Sequence, residues 1–423
     1  MGNIFLEHGK LGLNRWGGVI DEEFLRDLRG ARGIATYREM ADNDDMIGAS
    51  LYAIEMMIRQ VKWHVVSAGA LEADERCTDF VRSCMEDMDM PWGEFISEAL
   101  SFLIYGWSWH EIVYKRRDGK GSKFSDNLIG WKKLPIRSQE TLDHWEFEGD
   151  DLCGMWQSSQ PDYKAVFIPK EKSLHFRTKS QKGNPEGRSI LRNAYRSWFF
   201  KKRLQELEGI GVERDLAGLP VLITPEGLDL FASENAGQKA VADRVVRTIK
   251  RDENEGLVLP FGWDLKLLSS GGSRQNDTNA IIERYDNKIA STMLTDFVKL
   301  GHEGVGSYAL SSDKTALFAT ALGAFMDLIC EVMNSQGIGR LVDLNRSAFS
   351  GISGYPKLVH GDIESRNLDE LGSFLKNTVT SGVLTPDETL EDYLRREAGL
   401  PEKDEAGSYE NREKILVERM FGR

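Results

Sequence analysis

The stretch from Asp277 to Glu331 constrains this chain most: a polar helix, a glycine-rich break, then a run that is apolar nearly all round. In DTNAIIERYDNKIASTMLTDFVKL, Ile281, Ile282, Tyr285, Ile289, Met293 and Phe297 recur at the spacing of an amphipathic helix. Asp277 or Thr278 is its natural N-cap and Gly301 its natural stop. After GHEGVGSYALSSD, the run KTALFATALGAFMDLICEVM, from Lys314 to Met333, has few charges and no break. A helix apolar on every side must be covered by other elements or other subunits. Its length of about 20 residues also suits a membrane span. Asp327 and Glu331 fall inside the run and no positive flank follows, so it reads as a core or interface helix.

With 423 residues the chain can build two or three cores. Its 41% hydrophobic and 29% charged residues exclude collagenous, coiled-coil and disordered classes and describe a soluble globular protein. Met1 is followed by GNIFLEHGKLG, with neither an apolar signal region nor the Ser or Thr that myristoylation requires at the position of Leu6. Cys77, Cys84, Cys153 and Cys330 lack CxxC spacing, which implies free thiols in a reducing compartment and no zinc site. A net charge of −13 argues against tight wrapping of nucleic acid. The charge is uneven: Lys and Arg outnumber Asp and Glu from Trp107 to Arg203, and the reverse holds from Gly361 onward. Different neighbours for different parts, or two solvated faces, both accommodate this.

Residues 1–36 read as an arm or a loosely packed start. From Tyr37 a helix follows, with Asp42 to Asp45 as caps and Ile47, Leu51, Ile54 and Ile58 at helical spacing, and VKWHVV alternates as a strand. Ala73 to Met88 is a helix, and Pro91 opens another whose stripe is Phe95, Ala99, Phe102 and Leu103; Gly106 breaks it before the strand WSWHEIVYK. Trp131 to Phe176 reads as a small β unit of short alternating runs. Its tryptophans, with Trp107 and Trp109, alternate with Lys and Arg as a stacking platform for single-stranded nucleic acid would, or else fill a core. The segment GNPEGRS then turns into a long helix, capped at Ser189, with Leu191, Tyr195, Trp198, Phe199 and Leu204 on one face. Arg188, Arg192, Arg196, Lys201, Lys202 and Arg203 line another side, suited to phosphate or to an acidic neighbour. GLPVLITPEG is a strand and turn, GQKAVADRVVRTIKRDENEG a helix, and LVLPFGWDLKLLSSGG a strand pair or hairpin. Past Asn345 come a helix from Leu368 to Val379, a short helix opened by Pro386, and an acidic tail.

Catalytic patterns are absent. None of the seven histidines forms HExxH, and none has a carboxylate or cysteine at metal-ligand spacing. GNPEGRS is neither a GK[ST] phosphate loop nor GxGxxG, and there is no GxSxG elbow. The acidic run at Asp42 to Asp45 would suit a metal nuclease, but it opens a helix, where carboxylates serve as caps. The reading is therefore not an enzyme, with no catalytic, cofactor or metal residues.

The order of segments resembles the bacteriophage portal proteins, specifically the Mu-like portal family. The matching stretches include DDMIGASLYAIEMMIRQVKWHV, ALSFLIYGWSWHEIVYK, LPIRSQETLDHWEFEGD, IPKEKSLHFR, GNPEGRSILRNAYRSWFFKKRLQELEGIGVERDLAGLPV, RDENEGLVLPFGWDLKLLSSGG, and IIERYDNKIASTMLTDFVKLG followed by GVGSYALSSDK, over roughly residues 37–345. This resemblance implies an α+β portal fold: a mixed α/β wing, a helical stem, a small β-containing clip and a helical C-terminal crown, assembled as a ring, usually of twelve copies. By analogy the arm is 1–36, the wing 37–130 and 218–276, the clip 131–187 and the stem helix 188–217. Residues 277–345 hold a helix, the tunnel loop and the long core helix, and 346–423 the crown and acidic tail.

Such a ring sits at the capsid vertex of the virion, after assembly in the host cytoplasm, and joins head to tail. Terminase packages double-stranded DNA through it, and DNA leaves through it on infection. The implied partners are the terminase large subunit, head-completion or adaptor proteins, the major capsid and scaffolding proteins, and duplex DNA held transiently and without sequence preference; no membrane is involved. The tunnel loop would be Gly301, His302, Glu303, Gly304, Val305, Gly306, Ser307 and Tyr308, running on to Asp313, with Lys299 and Lys314 beside it for passing phosphates. An acidic total charge suits a conduit that must not grip DNA. Two other classes remain to be separated: a metal-dependent nucleic-acid-processing enzyme using Asp42 to Asp45 and the basic helix, and a scaffold or adaptor without a channel.

Overall fold

The computed structural model describes residues 7–217, 219–248, 258–268, 277–295, 308–363 and 375–381, together with positions 385, 387, 390, 391, 394 and 395. In chain order the elements begin with β1 (Arg15–Trp16), β2 (Val19–Ile20), α1 (Gly30–Asn43), α2 (Asp45–Gln60), β3 (Trp63–Val66) and α3 (Glu72–Glu86). Next come α4 (Trp92–Ala99), α5 (Ser101–Tyr105), β4 (Trp107–Glu111), β5 (Val113–Arg116), β6 (Ile129–Lys133) and β7 (Ile136–Arg137). The strands β8 (Leu142–Glu148), β9 (Asp151–Ser158), β10 (Ala165–Pro169) and β11 (Ser173–Arg177) lead to α6 (Tyr195–Ala217). The rest comprises β12 (Leu219–Ile223), α7 (Ala236–Thr248), β13 (Asp264–Leu268), α8 (Thr278–Met293), α9 (Tyr308–Val332), a π-helical segment (Met333–Ile338), α10 (Gly339–Leu344) and β14 (Lys357–His360). Helices and strands mix along the chain, and every strand pair among the described residues is antiparallel, an α+β fold.

Two compact units form. The first comprises Met1–Ala53, Ser97–Glu111 and Pro135–Thr315. Its sheets follow the orders β10-β9-β8 and β11-β4-β7. Trp107, Trp109, Trp145, Met155, Ile168 and Ile20 make one core, and α1, the start of α2, α6 and α8 make another through Tyr37, Met40, Ile47, Trp198, Ile289 and Met293. Of the strands expected to stand together as a small unit over 131–187, β8, β9 and β10 form a sheet of their own, but β6 pairs with β5, while β7 and β11 flank β4. Backbone pairing with strands upstream of Trp131 merges β6, β7 and β11 with the sheets expected of the wing.

The arm, though largely exposed, is tied to the β8–β9 hairpin over residues 11–18: the Leu11 amide donates to Asp150 at 2.8 Å, the Trp145 amide donates to the Gly18 carbonyl at 3.0 Å, and the Arg15 guanidinium lies 3.7 Å above the Phe147 ring. Only glycine fits at position 18, because a Cβ there would meet the Trp145 carbonyl oxygen at 2.2 Å. Helix begins at Gly30, earlier than the expected Tyr37, with Gly33, Tyr37 and Met40 buried.

The second unit comprises Ile54–Ile96, Ile112–Leu134 and Ala316–Arg423. The continuous rod of α9, π segment and α10 is held by two asparagines of matching role. Asn334 donates to the Leu358 carbonyl at 3.0 Å and accepts from its amide at 2.7 Å, while Asn345 does the same to Ile129 at 2.9 and 2.8 Å. Each amide side chain thereby satisfies both hydrogen-bonding groups of one residue, in β14 and β6 respectively. Phe80 and Phe349 pack with centroids 4.9 Å apart, and Arg117 is buried against Asp126 at 2.8 Å.

Two more helix ends, and one strand pairing, differ from expectation. The helix opening at Asp277, whose carboxylate accepts from the Ala280 amide, stops at Met293 because Leu294 turns left-handed at φ 60°. Phe297 and Gly301 lie outside the described residues. The long apolar helix starts at Tyr308, six residues before Lys314, because the polar stretch YALSSD continues the helix. Among the described residues, LVLPFGWDLKLLSSGG contributes one strand, β13, which pairs with β12 rather than with itself.

Candidate functional site

The turn GNPEGRS sets the start of α6. Gly106 and Gly187 both take positive φ, and a Cβ on Gly187 would lie 2.3 Å from the Gly106 carbonyl oxygen, so two backbones cross here where side chains cannot. Ser189 accepts from the Leu191 amide at 3.0 Å and donates to the Ile104 carbonyl. This motif is therefore structural. Below it the Trp145 indole donates to Glu186 at 3.2 Å, and burial pushes the Glu186 carboxyl up to about 7.

From this turn α6 runs out, and α8 returns against it. Ala194 and Trp198 meet Ile289, Ala290 and Met293, Phe200 stacks on Tyr285 with centroids 6.4 Å apart, and Thr278 hydrogen-bonds Glu208, so the pair is antiparallel. At its centre Lys201, 1% exposed, lies 2.9 Å from Asp44 and 2.6 Å from Asp286. Burial alone would lower the lysine pKa; Asp286 and Asp44 outweigh it and hold the ammonium above its ordinary value. Asp44 also caps α2, accepting from the Met46 and Ile47 amides at 3.1 and 3.0 Å. A second tie joins Ser50 of α2 to Thr295 after α8, at 2.7 Å. The β12–α7–β13 segment is the excursion between the two helices, with β12 and β13 paired antiparallel.

The basic residues read from sequence do not form one free face. Arg192 pairs with Glu23, Lys201 with its two aspartates, Lys202 with Glu39, and Arg203 with Glu206 at 2.9 Å. Arg188 donates to Asn193, and Arg196 sits over the Phe200 ring. Beside its exposed polar residues, α6 also exposes large apolar ones: Phe199, Phe200, Leu207 and Ile210. Trp107, Trp109, Trp131 and Trp145 are 2% exposed or less, so the stacking-platform alternative gives way to the core. Among the described residues no cluster of three His, Cys, Asp or Glu suits a metal ion.

The α9 rod shows the property expected of the apolar run. Leu317–Leu344 contains an 18-residue stretch long and apolar enough to cross a membrane, yet only 33% of it is buried. Phe318, Leu322, Met326 and Ile329 make the covered stripe; Leu317 stays 57% exposed, and Ala324 is exposed as well.

Comparison with protein families decides the identity. Residues 34–400 match the family described as the portal protein of Mu bacteriophage. The chain belongs to that family. Its role is that of a phage portal protein at a capsid vertex, where head and tail connect. Solved structures agree on the fold: a chain from the neck of an empty gene transfer agent particle computed with C6 symmetry has a TM-score of 0.54 at 12% identity, covering 90% of this chain and 95% of the other. A chain from the native particle's neck, computed with C12 symmetry, has 0.50 at 12% identity, covering 87% and 94%. An HK97-family phage portal protein from Corynebacterium diphtheriae has 0.42 at 12% identity, covering 77% and 94%.

In this portal protein Lys299 and the expected loop from Gly301 to Ser307 (His302, Glu303, Gly304, Val305, Gly306) lie outside the described residues. Tyr308 is the first residue of α9, and Lys314 lies within that helix. Sequence reasoning passed over Arg284 and Lys288 on the outward face of α8. The signal was available, since the two sit one turn apart, flanking the stripe of Ile281, Tyr285 and Ile289.

Proposed function

We propose that copies of this portal protein close into a ring, most simply of twelve, around a channel for double-stranded DNA. One observation carries the reading: α9 is apolar on nearly all sides, while only a third of its apolar window is fully buried by its own chain. Apolar surface of that extent is covered in the working state of a soluble protein, and a heterologous contact between identical copies closes into a ring. The neck chain computed with C12 symmetry supports twelve as the number. The ring stands in the virion at the capsid vertex after assembly in the host cytoplasm. Terminase feeds DNA through it, head-completion proteins close it, and the capsid and scaffolding proteins hold it; its own role is mechanical rather than catalytic. Asp44, the best-placed carboxylate of the acidic run, is engaged by a helix cap and by Lys201, which weighs against the nuclease reading.

Within the subunit, the antiparallel pair α6 and α8 supports a stem made of both helices, and the β12–α7–β13 excursion between them supports a clip there rather than over 131–187. The tunnel loop is assigned to Gly301–Ser307, between stem and core helix, with Lys299 and Lys314 at its flanks. Native mass measurement with negative-stain imaging of the purified chain tests the reading. A closed ring with an axial hole is expected; a monomer under every condition of salt and concentration, or a closed oligomer without a hole, overturns it.

A further inference from the structure

If DNA passes through such a ring, some side chains must face it, and the structure narrows the choice. Of the α6 cations, Lys201, Lys202 and Arg203 are each paired with a carboxylate of their own chain and Arg196 stands alone over the Phe200 ring, while Arg192, just before the helix, pairs with Glu23. Arg284 and Lys288 are exposed and form no ion pair among the described residues. Both instead lean on one ring: the Arg284 guanidinium lies 5.4 Å and the Lys288 ammonium 5.8 Å from the centroid of Tyr285, itself stacked on Phe200. Cation–π contact braces each side chain without neutralising it, so both charges stay available to an anion. Around them runs an open groove lined by Ser197, Asn287, Ser291 and Thr292, which are uncharged hydrogen-bonding groups of the kind that contact phosphate oxygens.

We propose that Arg284 and Lys288 are a two-rung phosphate contact, on which the backbone of duplex DNA rests as it moves past each subunit; this rests on the ring-and-channel reading. The rungs are one helical turn apart, about 6 Å along the helix axis. Glu283 lines the same groove and holds its net charge to a single positive unit per copy, which keeps the hold weak. The chemistry also orients the stem. The outward side of α6 carries the exposed Phe199, Phe200, Leu207 and Ile210 among its polar residues, anchors suited to another copy, while that of α8 exposes no large apolar side chain and suits a wet lumen.

The test uses rings of the full chain, their mass confirmed, titrated with a short fluorescent duplex over a range of salt. Wild-type rings bind weakly with a salt-dependent affinity. Arg284→Gln with Lys288→Gln lowers the affinity about tenfold at low salt and flattens the salt slope by about one for each phosphate that is no longer neutralised. The charge-keeping pair Arg284→Lys with Lys288→Arg retains both, and so does the control Lys202→Gln with Arg203→Gln. A Gln pair that binds with wild-type affinity and slope, or a charge-keeping pair that loses binding, overturns the proposal while leaving the ring intact. Wild-type rings that bind no duplex overturn it as well. Absence of any ring in the wild type is a failure of the underlying reading, seen directly in the mass.

Discussion

Lys201 shows how much one residue can organise. Its ammonium joins the cap of α2 to both α6 and α8 while 1% exposed, so removing its charge leaves two carboxylates in the interior without compensation. Lys201→Met is expected to destabilise the subunit by about 3–5 kcal/mol, read from urea unfolding; a change under about 1 kcal/mol would show that the aspartates find water or other donors. Glu186 makes a pH prediction. Its folded carboxyl keeps the proton up to about 7, against 4.5 ordinarily, so the unfolded chain releases that proton first and the Glu186 contribution to stability falls as pH rises through this window. Glu186→Gln should remove that part of the pH dependence and raise the melting temperature relative to wild type at pH above 7, checked by thermal scans across pH. Lys201 was legible as a basic helix residue; that it turns inward was not, because helical spacing tells which residues share a face but not which acids lie across from it.

At the scale of elements, long periodic helices read well: α3 and the α4–α5 stripe fall close to where spacing puts them, and α8 opens at its expected cap. Gly106 marks its break because only a glycine tolerates φ 91° with the Glu186 carbonyl that near. What failed was strand partnership. Alternation marks a run as a strand, but β6 joined β5 and β11 joined β4 through backbone groups that every residue carries, so composition could not name the partners. The α9 rod yields a prediction at this level. Leu317 is exposed in the subunit, so Leu317→Glu should leave helix content unchanged in circular dichroism yet reduce or abolish the ring in native mass spectra. Full assembly by this variant would mean that the exposed side of α9 faces solvent rather than another copy.

For the whole molecule, deleting part of Gly301–Ser307 is expected to leave the ring intact and lower the amount of DNA packaged, measured as nuclease-protected DNA per particle. Normal packaging would remove the tunnel-loop assignment. Segment order along the sequence was enough to identify the family, because a family shares a sequence of elements even where no single motif is catalytic, and the match over 34–400 agrees. The same sequence established by itself that the chain is α+β, that α9 is too apolar to stand in water alone, and that the Asp44 region caps a helix. Tertiary structure alone decided that the arm is tied to the β8–β9 sheet, that Trp107, Trp109, Trp131 and Trp145 are core, and which cations form ion pairs among the described residues. Periodicity and capping are local and can be read within a few turns of chain, whereas burial and charge pairing depend on residues as far apart as Asp44, Lys201 and Asp286, which only folding brings together.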